Sequence, residues 1–172
     1  MDYGLWVMNT NTNTNMSHKY VILFGIKHVL TMFVLKDVLL LAGVLFAIDA
    51  LYLRSIANYF NTQVSLVQGS TMEIDKLAAG LCYVALVVGL YWFVIRDANL
   101  RQIQNWNSPV LRKTMLQSAI LGWVIYAVYE LTSKSILKKW MWNTVILDGV
   151  WGGVLFALST FVYWFIQRKF GL

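Results

Sequence analysis

From Leu77 to Ile95 the chain runs for nineteen residues, LAAGLCYVALVVGLYWFVI, without one charged side chain. Wound as a helix at 1.5 Å per residue, the run covers about 28 Å, close to the roughly 30 Å of hydrocarbon in a bilayer. Its apolar residues fall on every face, whereas a helix on a water-facing surface keeps a polar back. A helix that is apolar all round and this long belongs in lipid, where it satisfies its own backbone groups. The rest of the chain agrees, with 59% hydrophobic and only 13% charged residues against a soluble norm of about 25% charged.

Three further runs have the same character. The first clear span covers about 38–56, VLLLAGVLFAIDALYLRSI, and carries Asp49 and Arg54 near its end. The others cover about 114–132 and 143–166, joined by the short link Ser133 to Trp140, which makes them an antiparallel hairpin. The polar stretches Asn58 to Lys76 and Arg96 to Lys113, the second holding the sole proline, Pro109, read as loops. Trp140, Trp142, Tyr163 and Trp164 stand where interfacial aromatics are expected. The expected fold class is all-α, a polytopic membrane protein with four transmembrane helices (38–56, 77–95, 114–132, 143–166) in an antiparallel bundle within a domain of residues 38–172.

Ahead of that domain lies a polar extension, residues 1–19, with the tract Asn9 to Asn15 alternating Asn and Thr, and no signal peptide pattern. The sequon Asn15-Met16-Ser17 falls on the wrong side for glycosylation in this topology. Residues 20–37 are apolar but interrupted by Lys27 and His28, which suits an interfacial or capping helix better than a span. Four spans put both termini on one side. Nine of the fourteen Lys and Arg residues lie with the termini and five lie opposite, which favours termini in the cytoplasm. The net charge of +6 comes from bases that flank apolar runs and do not gather in one stripe, so it reads as topology control and contact with anionic lipid, not nucleic-acid binding. Cys82, the one cysteine, sits inside an apolar run and reads as a small packing residue.

Three acids stand inside the apolar runs: Asp49, Glu130 and Asp148. An Asp at a helix centre costs about 2.5–3.5 kcal/mol to insert, so such groups face the bundle interior and have partners. Chain direction places all three in the leaflet opposite the termini. Ser118, Gly122, Tyr126 and Glu130 recur at i+4 and form one stripe of the third span; Gly122 there marks helix contact. On the fourth span Asp148 and Gly152 share a face, and Gly149, Gly153 and Ala157 form a small-xxx-small series that admits another backbone. With hydroxyls from Tyr52, Tyr126, Tyr129 and Thr132, the acids form either a structural hydrogen-bond network or a site for a proton, cation or polar headgroup. Three carboxylates this close do not all ionise comfortably, so one is expected to hold a proton, while Arg54 or Lys134 neutralises another. The two histidines, His18 and His28, lie on the opposite side, so no His–carboxylate metal site is expected. Phosphate loops, nucleophile elbows and dinucleotide fingerprints are missing, so neither an enzyme nor a cofactor is expected.

The ordered motifs Asp49-Ala-Leu-Tyr52-Leu53, Tyr126-Ala-Val-Tyr129-Glu130-Leu131-Thr132-Ser133 and Asp148-Gly-Val-Trp151-Gly152 resemble the membrane proteins of the domain-of-unknown-function 2177 family. That family's pattern runs Asp-x-x-Trp-Leu, Tyr-x-x-Tyr-Asp-Leu-Thr-Asn and Asp-x-x-Trp-Gly. Here Tyr52 stands for Trp, Glu130 for Asp and Ser133 for Asn, and the match covers about Val38 to Phe165. The resemblance implies four spans, the same three acids with Trp151 beside them, and no assigned activity, in a family with bacterial and large-DNA-virus members.

A polar terminus orders only where something holds it, so residues 1–37 are expected to contact neighbouring subunits. The expected role is a structural component of a membrane assembly, such as the internal membrane of a virion, with the bilayer as its other partner. The rival is a small proton- or cation-linked transporter or channel using the acid cluster, with homo-oligomerisation through the Gly149–Gly153 face. No span is broken by proline and no six-helix inverted repeat is visible, which counts against transport. A lipid-acting enzyme ranks third.

Overall fold

The computed structural model describes the backbone of residues 11–171 and the side chains of residues 34–171. Residues 1–10, and with them part of the polar extension, lie outside the described residues, as do the side chains of His18, His28 and the rest of 11–33. The partner-binding role expected of residues 1–37 therefore rests largely on residues that are not described. The chain divides at residue 37 into two units, and the second, Val38–Leu172, carries the three acids.

The described residues are helical and contain no strand. Four helices follow one another: α1 (Asn11–Gln68), α2 (Lys76–Leu90), α3 (Pro109–Ile136) and α4 (Trp142–Phe170). Among the described residues three segments are long and apolar enough to cross a membrane: Lys76–Ile95, which is α2 and the turn beyond it, then α3 and α4. The runs expected at 77–95, 114–132 and 143–166 fall inside these, and that at 38–56 falls inside α1.

Local chemistry sets the ends. Asp75 caps α2, its Oδ1 accepting from the backbone N–H of Leu77 at 2.9 Å and of Ala78 at 3.0 Å. Pro109 opens α3, where its missing N–H costs nothing. Gly69 (φ 78°) and Gly171 (φ 63°) adopt the left-handed conformation that closes α1 and α4. Asn58–Lys76 is thus not a loop throughout: α1 continues to Gln68 and leaves only a short connection. Polar anchors along this segment, Tyr59 and Gln63, bond it to the rest of the bundle. One helix assignment also runs through residues 20–37, where a separate interfacial helix is expected.

Beyond Leu90 the last turn of α2 widens into a π turn, Tyr91–Ile95, closed by the Arg96 N–H on the Tyr91 carbonyl at 2.9 Å. A 3-10 turn (Leu100–Gln102) follows, entered through Asn99 at φ 48°. At this end Arg96 pairs with Asp97 at 3.0 Å and lies 4.3 Å from the Trp92 ring centre. The guanidinium holds the Asp97 carboxyl below the ordinary Asp range.

Leu41 and Leu45 of α1, Leu90 of α2, Leu111 of α3, and Leu155 and Phe156 of α4 are fully buried and build the core. The outward faces stay apolar, with Leu77, Phe93, Leu116 and Ile146 all more than 60% exposed, as lipid-facing surfaces are. Cys82 lies on this outward face, exposed and not packed. Of the aromatics expected at the interface, Trp142 is exposed, whereas Trp140, Tyr163 and Trp164 turn inward. Each has a polar partner there, which a buried Trp or Tyr requires. Trp140 donates to Glu130, Trp164 to the Ile103 carbonyl at 3.1 Å, and Tyr163 accepts from Gln167 at 2.7 Å.

α3 and α4 approach each other most closely, because glycines meet at their crossing. A Cβ added to Gly122 would overlap the Gly152 carbonyl oxygen and stand 2.7 Å from the Phe156 ring. One added to Gly152 would run into the Tyr126 ring, and one on Gly153 would stand 3.2 Å from the Ala119 carbonyl oxygen. Gly149 has nothing within 4 Å of such an atom, so it is not a point of close approach. The seam thus runs along Gly152 and Gly153, with Ala157 half-buried beyond them.

Candidate functional site

The three acids inside the apolar helices are all withdrawn from the surface: Asp49 is 5% exposed, Glu130 0% and Asp148 9%. They lie near one another in the bundle interior. Among the described residues no three His, Cys, Asp or Glu side chains stand close enough to hold a metal ion together. The acids are instead strung along a relay in which aromatic N–H and O–H groups do the joining.

Asp49 of α1 accepts two hydrogen bonds from other helices, from the Tyr83 hydroxyl of α2 at 2.7 Å and from the Trp151 indole N–H of α4 at 2.8 Å. Trp151 stacks on Tyr52, with ring centres 4.0 Å apart and planes 10° from parallel. Tyr52, three residues after Asp49 and so on the same face of α1, donates to Asp148 of α4 at 3.3 Å. Asp148 in turn neighbours Glu130 of α3 closely enough for the two carboxyls to interact. Glu130 Oε2 accepts from the indole N–H of Trp140, in the α3–α4 link, at 2.7 Å. Its other oxygen, Oε1, is buried and has no hydrogen-bond partner among the described residues.

Above this relay sits a second polar group. The hydroxyls of Tyr59 and Thr144 are bonded at 2.9 Å, Thr144 donates to Gln63 Oε1 at 3.3 Å, and Gln63 Nε2 donates to the Lys139 carbonyl at 3.0 Å. Gln63 and Thr144 are fully buried. These bonds hold the end of α1 against the link and explain why the helix persists to Gln68.

The structure thus brings together Asp49, Tyr52, Glu130, Asp148 and Trp151. Tyr126 packs its ring against Gly152 at the α3–α4 crossing, next to the relay. Tyr129, 61% exposed, and Thr132, also exposed, lie on the outer side of α3, which turns Glu130 and Ser133 inward, though the Tyr129 hydroxyl stays within reach of Ser133 beside Glu130. Neither base expected to neutralise an acid does so. Arg54 is exposed with no acid paired to it among the described residues, and Lys134 donates to the Trp140 carbonyl at 2.6 Å. Indole and phenol donors take the place of cations.

Sequence reasoning missed Tyr83, Trp140, Tyr59, Gln63 and Thr144 as parts of this system. Tyr83 carried a signal, as one of few hydroxyls inside the second span. Trp140 is assigned by position to the interface, and only the fold shows its indole turned back to an acid ten residues earlier.

An all-helical chain with apolar, lipid-type outer faces and a buried acid–aromatic relay is a multi-pass helical membrane protein. It belongs to the family described as Predicted membrane protein (DUF2177), which matches residues 32–165. No curated protein and no solved structure matches the chain.

Proposed function

We propose that the chain is a four-span bundle, α1 supplying the fourth span, whose relay is an internal brace, and that it serves as a structural component of a larger membrane assembly, such as a virion's internal membrane. One observation carries the brace: every acid in the apolar region accepts from a donor on another helix or on the link, so the bonds tie α1 to α2 and α4, and α3 to the link that leads into α4. Oxygens spent on protein partners in this way, all but Glu130 Oε1 of those described above, are not presented to a solute. The excess of bases near the termini supports a cytoplasmic, or equivalent, location for both ends.

The test is purified protein in liposomes together with its Asp49→Asn, Glu130→Gln and Asp148→Asn variants. A brace gives no proton or alkali-cation flux above empty liposomes and variants that unfold at lower temperature. Flux by the wild type that disappears in folded Glu130→Gln and Asp148→Asn protein overturns it. The assembly role predicts that mild solubilisation of native membranes releases the chain in a complex with other subunits, and a free monomer refutes that role.

A proton-binding reading has one observation in its favour, the partnerless Glu130 Oε1 beside Asp148. A proton needs no cavity, so this pair would be its place. The same flux measurement decides between the two readings.

A further inference from the structure

At the end of the molecule away from the acids, α4 and the α2–α3 loop enclose a groove of about 460 Å³ lined by Trp106, Phe161, Trp164, Phe165, Arg168 and Lys169. Four walls are aromatic and the remaining two are cations, one turn beyond the rings on the same helix. The Trp164 indole bond to the Ile103 carbonyl fixes the loop against α4 and so holds Trp106 over the groove. Both cations lean over rings: the Arg168 guanidinium is 5.8 Å from the Trp164 ring centre and the Lys169 ammonium 5.9 Å from that of Phe165. Neither has a carboxylate partner among the described residues, and both are exposed. A preorganised apolar slot that ends in two uncompensated positive charges, on a helix of membrane length, has the chemistry of one kind of ligand.

We infer that this groove binds a single anionic phospholipid, its acyl chain against Phe161 and Phe165 under Trp106, over the buried Trp164, and its phosphate on Arg168 and Lys169. Charge complementarity selects the occupant. A zwitterionic lipid satisfies the rings equally well but brings its own cation and gains little from the two bases. The aromatic walls distinguish the groove from a diffuse basic surface, because they hold the chain while the bases hold the head. The inference is independent of whether the acid relay is a brace or a proton site, and needs only that α4 lies in the bilayer.

The test is native mass spectrometry of the purified full chain in detergent with added phosphatidylglycerol or phosphatidylcholine of matched acyl chains. The wild type retains one phosphatidylglycerol in preference to phosphatidylcholine. With each base near an anionic group contributing about a fivefold change in affinity, Arg168→Gln combined with Lys169→Gln reduces phosphatidylglycerol binding roughly 25-fold and leaves phosphatidylcholine unchanged. Arg112→Gln combined with Lys113→Gln, equal in charge and outside the groove, keeps the preference. Trp106→Ala, an exposed site whose loss leaves the charges intact, weakens both lipids. Equal retention of the two lipids by the wild type, a preference that survives in the Arg168/Lys169 variant, or an equal loss in the Arg112/Lys113 variant overturns the inference.

Discussion

Gly122→Ala is a one-carbon change that the α3–α4 crossing cannot absorb. The new Cβ overlaps the Gly152 carbonyl oxygen and stands 2.7 Å from Phe156 Cγ and 2.9 Å from the Gly152 carbonyl carbon. Carbon atoms in good contact sit about 3.5 Å or more apart, so relief of the Phe156 contact alone requires about 0.8 Å, and the carbonyl overlap requires more. Two of the three blocking atoms are backbone, and Phe156 is fully buried, so the helices themselves must separate. A gap of 0.5–1 Å forfeits about a quarter to a half of each dispersion contact along the seam, and between helices in lipid packing is the main attraction. The expected loss is about 3 kcal/mol, the upper part of the usual range for overpacking. Reversible unfolding in mixed micelles, followed by far-UV circular dichroism, measures it against two controls. Gly149→Ala, with nothing within 4 Å of its Cβ, costs no stability and gains up to about 1 kcal/mol of helix propensity. Gly153→Ala, 3.2 Å from the Ala119 carbonyl oxygen, falls between them. Wild-type stability in Gly122→Ala, or a Gly149→Ala loss as large as that of Gly122→Ala, refutes the assigned seam.

Trp140→Phe removes the indole donor to Glu130 and lowers stability by about 2–3 kcal/mol in the same assay, with part of the loss recovered by adding Glu130→Leu; an unchanged single variant refutes the bond. Tyr83→Phe and Trp151→Phe each cost about 1.5 kcal/mol, and the double variant costs more than their sum, because Asp49 then has no donor. For Asp97 the folded-state pKa is depressed, so its pairing with Arg96 is present above the unfolded value and lost as pH falls through the folded one, below about pH 4. The emission difference between wild type and Trp92→Phe follows that loss and is flat in Asp97→Asn; a titration that persists in Asp97→Asn assigns it elsewhere. A fluorescent reporter that folds only in the cytoplasm is bright when fused after Leu172 and dark when inserted in the Lys134–Lys139 link, and the opposite pattern reverses the topology.

Hydrophobicity made most of the helices legible, because a lipid-facing segment must be apolar on every side and Leu77–Ile95 has no other reading. Membership of the family was legible for a different reason: the acids, aromatics and glycines of its motifs keep their order. What could not be read was rotation about each helix axis. Tyr129 and Glu130 are adjacent, and a turn of about 100° separates an exposed ring from a fully buried carboxyl. Gly149 and Gly152 look alike as small residues, yet only one meets a neighbouring backbone. Long-range polar partners were equally hidden, since nothing local marks Tyr83 as the donor to an acid 34 residues earlier. The extension of α1 past Asn58 was missed because its residues are polar, and a buried glutamine such as Gln63 follows from tertiary contacts, not from composition.

That extension governs more than the length of a helix. Thr144 precedes Asp148 by one turn of α4, about 6 Å along its axis, so the bonded set of Tyr59, Thr144 and Gln63 forms a lid between the link and the carboxyls. The burial of the carboxyls on this side is therefore expected to depend on how firmly the end of α1 is held, by residues that carry no charge.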